Sequence, residues 1–372
     1  MMPFRGRTPC VGILGGGQLA RMTALAGWPL GVRFLQLAPE PEAARGIVQT
    51  VTAPYDDETA LRDFASLVDV VTFESENVPV ETARLLAELV PVRPGPKALA
   101  AAGNRWAEKD LFTQLEIPTT RYAKVASAAD LPAALERVGL PAIAKTRRLG
   151  YDGRGQLVCR TSTELLAAFD RLGGVPLLCE AWIPFEREIS IIGVRGLDGE
   201  VRCWSPGENI HEHGILRASI APAPDLDARL IDAAFSYLQR IMAALDYTGV
   251  IALEMFQYEG TLLANEIAPR VHNTGHWTIE GAVTSQFENH VRAILGWPIG
   301  STACIRPSVM LNVIGETPPH DALLAIEGAH VHVYGKEPRP GRKLGHITVL
   351  VDSPQDGRRR LEELRRIPGL TP

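Results

Sequence analysis

Two glutamates, Glu254 and Glu266, interrupt two apolar runs that flank a short Tyr-Glu-Gly turn. Apolar runs on either side of a Gly-containing turn read as a β-hairpin. Side chains alternate faces along a strand, so Val250, Ala252, Glu254 and Phe256 share one side, as do Leu262, Ala264 and Glu266. A turn centred on Gly260 sets Glu254 directly opposite Glu266. Such neighbours lie about 5 Å apart, and at an effective dielectric of about 20 their repulsion is roughly 3 kcal/mol. A cation between the carboxylates relieves it, and hard oxygen ligands completed by phosphate oxygens describe Mg²⁺. The ordinary alternative is a hairpin whose carboxylates face water. Asn265, Arg270, His272, Asn273 and His276 crowd the same segment and favour the metal reading. A one-residue slip in register would separate the pair.

Three further groups could do chemistry. Lys145 ends an apolar strand, and Gly150-Tyr151-Asp152-Gly153-Arg154-Gly155-Gln156 follows, a glycine-punctuated loop suited to a flap over phosphates. It is not a Walker loop, because the G-K-[ST] ending is absent. Gly15-Gly16-Gly17-Gln18-Leu19-Ala20 opens a helix after a buried strand and fits the loose dinucleotide fingerprint. Phosphate or polar-ligand binding is the expectation there. NAD binding has less support, since Ala38 and Pro39 stand where an acidic residue should close the second strand. The last group is a loop carrying Lys336, Arg339, Arg342 and Lys343, which suits a phosphate, although a solvated surface loop has the same composition. His211 and His213 lack a third ligand nearby and are not read as a metal site.

The elements that must position these residues follow from pattern. Strands are expected at Cys10–Leu14, Val32–Leu37 and Val68–Phe73, a βαβ start with Glu74-Ser75-Glu76-Asn77 at a carboxyl edge where α/β sheets bind ligands. A proline cluster at 91–96 marks a boundary. The helix from about Asn104 to Leu115 carries Arg105 and Lys109, charges that alone describe a solvated face. A small α+β unit follows, with Thr161 and Glu164 as a capping box. Segment 208–214 is polar and reads as a loop. Later strands are expected near 309–314, 330–334 and 347–351, and a charged helix from Arg358. At 372 residues the chain suggests two or three domains. They are drawn as 1–100 (Rossmann-like, substrate-binding), 101–300 (with a flap at about 118–184) and 301–372. A net charge of -5 without a basic stripe argues against nucleic acid. Five scattered cysteines suit a reducing cytoplasm, and no segment reads as a signal peptide or membrane span.

In this order the motifs resemble the ATP-grasp enzymes, and among them the 5-(carboxyamino)imidazole ribonucleotide synthases. The resemblance is carried by Gly-Ile-Leu-Gly-Gly-Gly-Gln-Leu at 12–19, Phe-Glu-Ser-Glu-Asn-Val at 73–78, and Lys-Thr-Arg-Arg-Leu-Gly-Tyr-Asp-Gly-Arg-Gly-Gln at 145–156. Further on come Arg-Glu-Ile-Ser at 187–190, Glu-Asn-Ile-His at 208–211, Ser-Ile-Ala-Pro-Ala at 219–223, the long block 265–280 and Pro-Gly-Arg-Lys-Leu-Gly-His at 340–346. Arg154, Val271 and Trp182 depart from the expected Lys, Pro and Phe or Tyr.

The resemblance implies a mixed α/β and α+β architecture: an ATP-grasp fold, an N-terminal Rossmann-like pre-ATP-grasp domain and a small C-terminal β-rich domain. It implies ATP held by Arg105, Lys145, residues 150–156, Glu180, Ala181, Trp182, Ile183, Glu188, His211, Asn265 and Glu266. Glu254 and Glu266 would carry two Mg²⁺. Bicarbonate and ATP would give carboxyphosphate, held by Arg270, His272, Asn273 and His276, with Lys145 also on the transferring phosphate. Aminoimidazole ribonucleotide would lie against Gln18, Glu76 and Asn77, under Tyr151 and Asp152, with its phosphate on Lys336 and Arg342. A homodimer is the family's expectation. The rivals are a formate-using glycinamide ribonucleotide transformylase, an NAD-dependent oxidoreductase and a non-enzymatic nucleotide sensor.

Overall fold

A computed structural model describes residues 7–367 and 370, apart from 41, 42, 45, 149 and 151–154. Among these residues the strands form three sheets. The first is parallel: β1 (Cys10–Leu14), β2 (Arg33–Ala38), β3 (Gln49–Thr52) and β4 (Val70–Phe73), in the order β3-β2-β1-β4. Strand β1 is buried along its whole length, as expected of a parallel strand covered on both faces. The helix Gln18–Gly27 leaves from its carboxyl end and packs on the helix Gln286–Ile294.

The second sheet is antiparallel, β5 (Tyr122–Val125), β6 (Ala142–Thr146), β7 (Gln156–Cys159) and β8 (Leu177–Ala181), in the order β5-β8-β6-β7. It has its own small core around Val125, Leu131, Ala144 and Leu177. Thr161 and Glu164 form the expected capping box.

The third sheet has nine strands: β9 (Arg187–Arg195), β10 (Val201–Cys203), β11 (Gly207–Glu212), β12 (Ile215–Ala221), β13 (Gly249–Tyr258), β14 (Thr261–Ala268), β15 (Ser308–Ile314), β16 (Ala329–Val333) and β17 (Lys343–Leu350). Its order is β14-β13-β9-β11-β12-β15-β17-β16, with β10 paired to β9. The C-terminal strands therefore extend the same sheet that carries the glutamate hairpin. Alternation along β13 sorts its faces. Ile251, Leu253 and Met255 pack with the helix Ala228–Ala244, whereas Val250 and Ala252 join the core containing Phe287 and Trp277.

The polar segment 208–214, expected to loop, is instead largely strand β11, hydrogen-bonded to β9 on one side and β12 on the other. Its polarity does not mean exposure. Asn209 is buried and accepts a 2.8 Å hydrogen bond from the Ser219 hydroxyl.

Candidate active site

The hairpin puts Glu254 opposite Glu266, by a route the spacing did not reveal. Its turn centres between Glu259 and Gly260, both with positive φ, the geometry of a tight two-residue hairpin loop. Counting back from that turn would set Asn265 against Glu254. A β-bulge after Met255↔Ala264 takes up Asn265 as an extra residue and restores the glutamate pair. The bulge also corrects the expected face of β14. Leu262 and Ala264 point into the core under helix Ala228–Ala244; beyond the bulge Ile267 takes that side and Glu266 turns to the face of Glu254.

Lys109 supports the bulge. Its ammonium reaches the carbonyls of Ala264 (3.3 Å) and Asn265 (3.1 Å) and the Thr119 hydroxyl (2.9 Å). The helix Arg105–Gln114 is thus not a solvated face: Glu108 and Lys109 are both buried. Glu108 accepts a 2.7 Å hydrogen bond from the Ile267 amide, and burial, with the Glu266 charge beside it, pushes its carboxyl up to about 8. The sequence pattern flags Lys109 only as a surface charge and does not single out Glu108. The helix reads as amphipathic, and a buried Glu-Lys pair at i, i+1 is not what that pattern leads one to expect.

Burial and then Glu266 push Glu254 up to about 7, while His272 Nε2 lies 3.2 Å from its Oε1. Arg105 Nη1 is 3.3 Å from Glu266, and its Nη2 donates to the Gly150 carbonyl at 3.1 Å. The buried amide oxygen of Asn265 has no hydrogen-bond partner. Two facing carboxylates and an orphaned hard oxygen fit Mg²⁺, which takes few protein ligands and completes its shell with phosphate and water. Among the described residues no group of three or more His, Cys, Asp or Glu side chains is arranged to hold a metal ion by itself.

Beside the pair, Lys145 Nζ lies 3.1 Å and Lys109 Nζ 3.7 Å from opposite oxygens of Glu180. Burial would raise the Glu180 carboxyl, but the two ammonium groups outweigh it and bring it down to about 2. Ala181 is buried, Trp182 exposed and Ile183 half-buried, the three leading out of β8. Glu188 pairs with His211 Nδ1 across the sheet, and despite burial this holds the imidazole above its usual range. Gly155 and Gln156 pair back to Thr146 and Lys145. Tyr151, Asp152, Gly153 and Arg154 lie outside the described residues.

The segment after β14 crosses from the carboxylates to the parallel sheet. Arg270 Nε meets Glu76 at 2.7 Å; burial opposes the Glu76 charge, but Arg270 holds the carboxyl below its usual range. His272 spans Glu254 and the Thr274 hydroxyl (3.0 Å). Burial, then the Arg270 charge, holds His272 well below its usual pKa, so the imidazole is neutral. Both polar side-chain atoms of Asn273 are buried without a partner. His276 lies deeper than expected of a residue on an intermediate, wholly buried against Phe287 and His346. Lys336 is bonded to Gln18 through its ammonium, which brings the basic loop onto the opening helix. Arg342 donates to the Glu337 carbonyl at 3.0 Å, and Asn77 is exposed beside Ser75. The Lys343 charge is felt at Glu254, His211 and His272.

The glycine turn is not a phosphate cradle. The Glu74 carboxylate accepts from the Gly17 amide and, at 2.8 Å, from Ala20. It occupies the helix N-terminus where a pyrophosphate would sit. A Cβ on Gly15 would come within 2.4 Å of Glu74, and Gly15 has a φ of +123°, so the glycine serves an internal carboxylate. This excludes the dinucleotide reading.

Cross-strand carboxylates beside a lysine-bearing flap define an ATP-grasp enzyme, and the chain matches the ATP-grasp domain model over 110–287. It also matches the ribonucleotide synthetase preATP-grasp domain over 9–103 and the phosphoribosylaminoimidazole carboxylase C-terminal domain over 308–360. It is 50% identical over 340 residues to the N5-carboxyaminoimidazole ribonucleotide synthase of Pseudomonas aeruginosa, covering 91% of this chain and 94% of that one. The crystal structure of the Thermus thermophilus synthetase of that name is 51% identical with a TM-score of 0.92, covering 96% of this chain and 98% of that one. The Aspergillus clavatus synthase in complex with ADP and 5-aminoimidazole ribonucleotide is 30% identical, TM-score 0.89, covering 97% and 98%. The chain belongs to the N5-carboxyaminoimidazole ribonucleotide synthase family.

Proposed function

We propose that the residues described above carry out this family's reaction, the ATP-dependent carboxylation of aminoimidazole ribonucleotide by bicarbonate in purine biosynthesis. The observation that carries the assignment is the span of segment 270–276. It touches Glu254 through His272 and Glu76 through Arg270, and so joins the phosphate side to the ribonucleotide side.

Bicarbonate is a poor electrophile. Attack of one of its oxygens on the γ-phosphorus gives ADP and carboxyphosphate, whose carbonyl then accepts the exocyclic amine as phosphate leaves. Lys145 and Arg105 bind the transferring phosphate, and Glu188 with His211 closes the nucleotide pocket. Glu254, Glu266 and Asn265 would hold Mg²⁺, which when bound neutralises charge on the phosphates. Arg270 and neutral His272 orient the intermediate and supply donors to its oxygens. Gln18, Glu76 and Asn77 border the ribonucleotide, and Lys336 and Arg342 take its phosphate. The intermediate is prone to hydrolysis, and exclusion of water is the role expected of the 150–156 loop, of which Tyr151, Asp152, Gly153 and Arg154 lie outside the described residues. The family resemblance further supports a homodimer, open to sedimentation velocity, and a cytoplasmic enzyme, open to fractionation; among the described residues no helix is long and apolar enough to cross a membrane.

The decisive experiment supplies ¹⁸O-bicarbonate with MgATP and the ribonucleotide. Label entering the released phosphate, with ¹³C from bicarbonate in an acid-labile carbamate, is the expected result. Phosphate release stimulated by formate and glycinamide ribonucleotide, and not by bicarbonate, would overturn the reading.

A further inference from the structure

Three imidazoles cluster where β16 and β17 meet the segment after β14, with His276 and His346 buried and His332 half-buried. The His332 and His346 rings lie parallel within 8°, centroids 4.4 Å apart, and the His276 ring meets His346 at 4.6 Å, tilted by 37°. His346 is fully buried, and its Nδ1 is 2.7 Å from the Tyr334 hydroxyl. Lys336 lies over the Tyr334 ring, 6.0 Å from its centroid, and the same ammonium is bonded to Gln18. On the far side, Glu280 Oε1 meets His332 Nε2 at 2.7 Å, so the stretch from His276 to Glu280 is fastened to the C-terminal strands twice. Burial, then the neighbouring imidazoles, hold His346 far below its usual pKa. A neutral ring can pack against two other imidazoles without charge repulsion.

We propose that His346 is a positioning residue joining the lysine that takes the ribonucleotide phosphate to the segment that holds the carboxylated intermediate. One edge, Nδ1, fixes Tyr334 and through it the seat of Lys336. One face, against His276, fixes the segment that begins at Arg270. The proposal rests on the assignment of Lys336 to the ribonucleotide phosphate. It goes beyond that assignment by making a residue with no substrate contact responsible for the relative placement of two substrates.

The two connections can be cut separately. Tyr334→Phe removes the hydrogen bond and keeps every ring; His346→Asn keeps a polar atom near the Nδ1 position and removes the stack. Steady-state phosphate release is measured with MgATP, bicarbonate and varied ribonucleotide, after each variant is shown to melt cooperatively. Tyr334→Phe should raise the ribonucleotide KM about fivefold, the size of one neutral hydrogen bond, with kcat within about twofold. The same change made in Lys336→Ala should have almost no further effect, because the seat then holds nothing. His346→Asn should leave the ribonucleotide KM within about twofold and lower kcat about tenfold, with the ATP KM unmoved. A Tyr334→Phe effect equally large in the Lys336→Ala background would overturn the inference, as would either variant shifting the ATP KM in step with the ribonucleotide KM. Lys336→Ala alone with an unchanged ribonucleotide KM would instead show that the phosphate assignment itself is at fault.

Discussion

Glu254→Gln is the sharpest test of the carboxylate pair. In the folded chain the Glu254 carboxyl rises from 4.5 to about 7, first through burial and then through Glu266. Each pKa unit is worth about 1.4 kcal/mol, so ionising Glu254 costs the metal-free fold on the order of 3 kcal/mol. Raised in the folded state, the group binds more protons there than in the unfolded chain between pH 4.5 and 7. Stability of the metal-free protein must therefore fall as pH rises through that window. Glu108, up to about 8 by burial and Glu266, extends the fall slightly higher. Glutamine keeps the shape and removes the charge. The variant should melt several degrees above the parent at pH 8 without metal, with a flatter profile from pH 5 to 7. Adding Mg²⁺ and ADP should stabilise the parent more than the variant, while turnover in the variant is lost. Calorimetry across pH, with and without Mg²⁺ and ADP, reads all of this. An unchanged pH slope, or full activity in the variant, would refute the reasoning.

Lys336→Ala or Arg342→Ala should weaken ribonucleotide binding by about 2 kcal/mol, one charged hydrogen bond, and barely move ATP affinity; calorimetric titration of each ligand separates the two. Lys109→Met should destabilise the fold by about 3–5 kcal/mol, because it leaves the buried Glu180 short of a charge partner and the Asn265 carbonyl short of a donor, as denaturant melts will record. Glu74→Ala exposes two amide donors at the start of helix Gln18–Gly27 and should cost about 1–2 kcal/mol. Neither parent nor that variant should show a thermal shift with NAD.

The sequence announced its chemistry more clearly than the geometry that delivers it. Glu254 and Glu266 were legible because acidic residues inside apolar strands are out of place. The bulge at Asn265 was not, since only the buried side of β14 decides which residue is extruded, and Lys109, which secures it, comes from a helix 155 residues away in the chain. Segment 208–214 looked like a loop because polarity was taken for exposure. Asn209 is instead buried in the sheet, His211 pairs with Glu188, and Glu208 and Glu212 are held by arginines. The glycine turn misled for a related reason: a backbone built to receive an anion does not disclose that Glu74 is the anion. Gln18 and Lys336 were assigned to the ribonucleotide separately, through matched motifs; their direct contact across 318 residues is visible only in the fold.

The continuity of the nine-stranded sheet from β14 to β16 bears on how the enzyme can move. Glu266 sits at one end, and the loop of Lys336 and Arg342 leaves from the other. Sliding one end against the other would break strand ladders along the way, so the two anchor points form a single rigid span. With the site residues as proposed, the separation between nucleotide and acceptor is settled when the chain folds, and its entropic cost does not recur at each turnover. Motion is left to the small flap sheet, which has a core of its own. Hydrogen exchange in this enzyme should divide the same way: slow and indifferent to ligand along the long sheet, and slowed by ATP over β6 and β7.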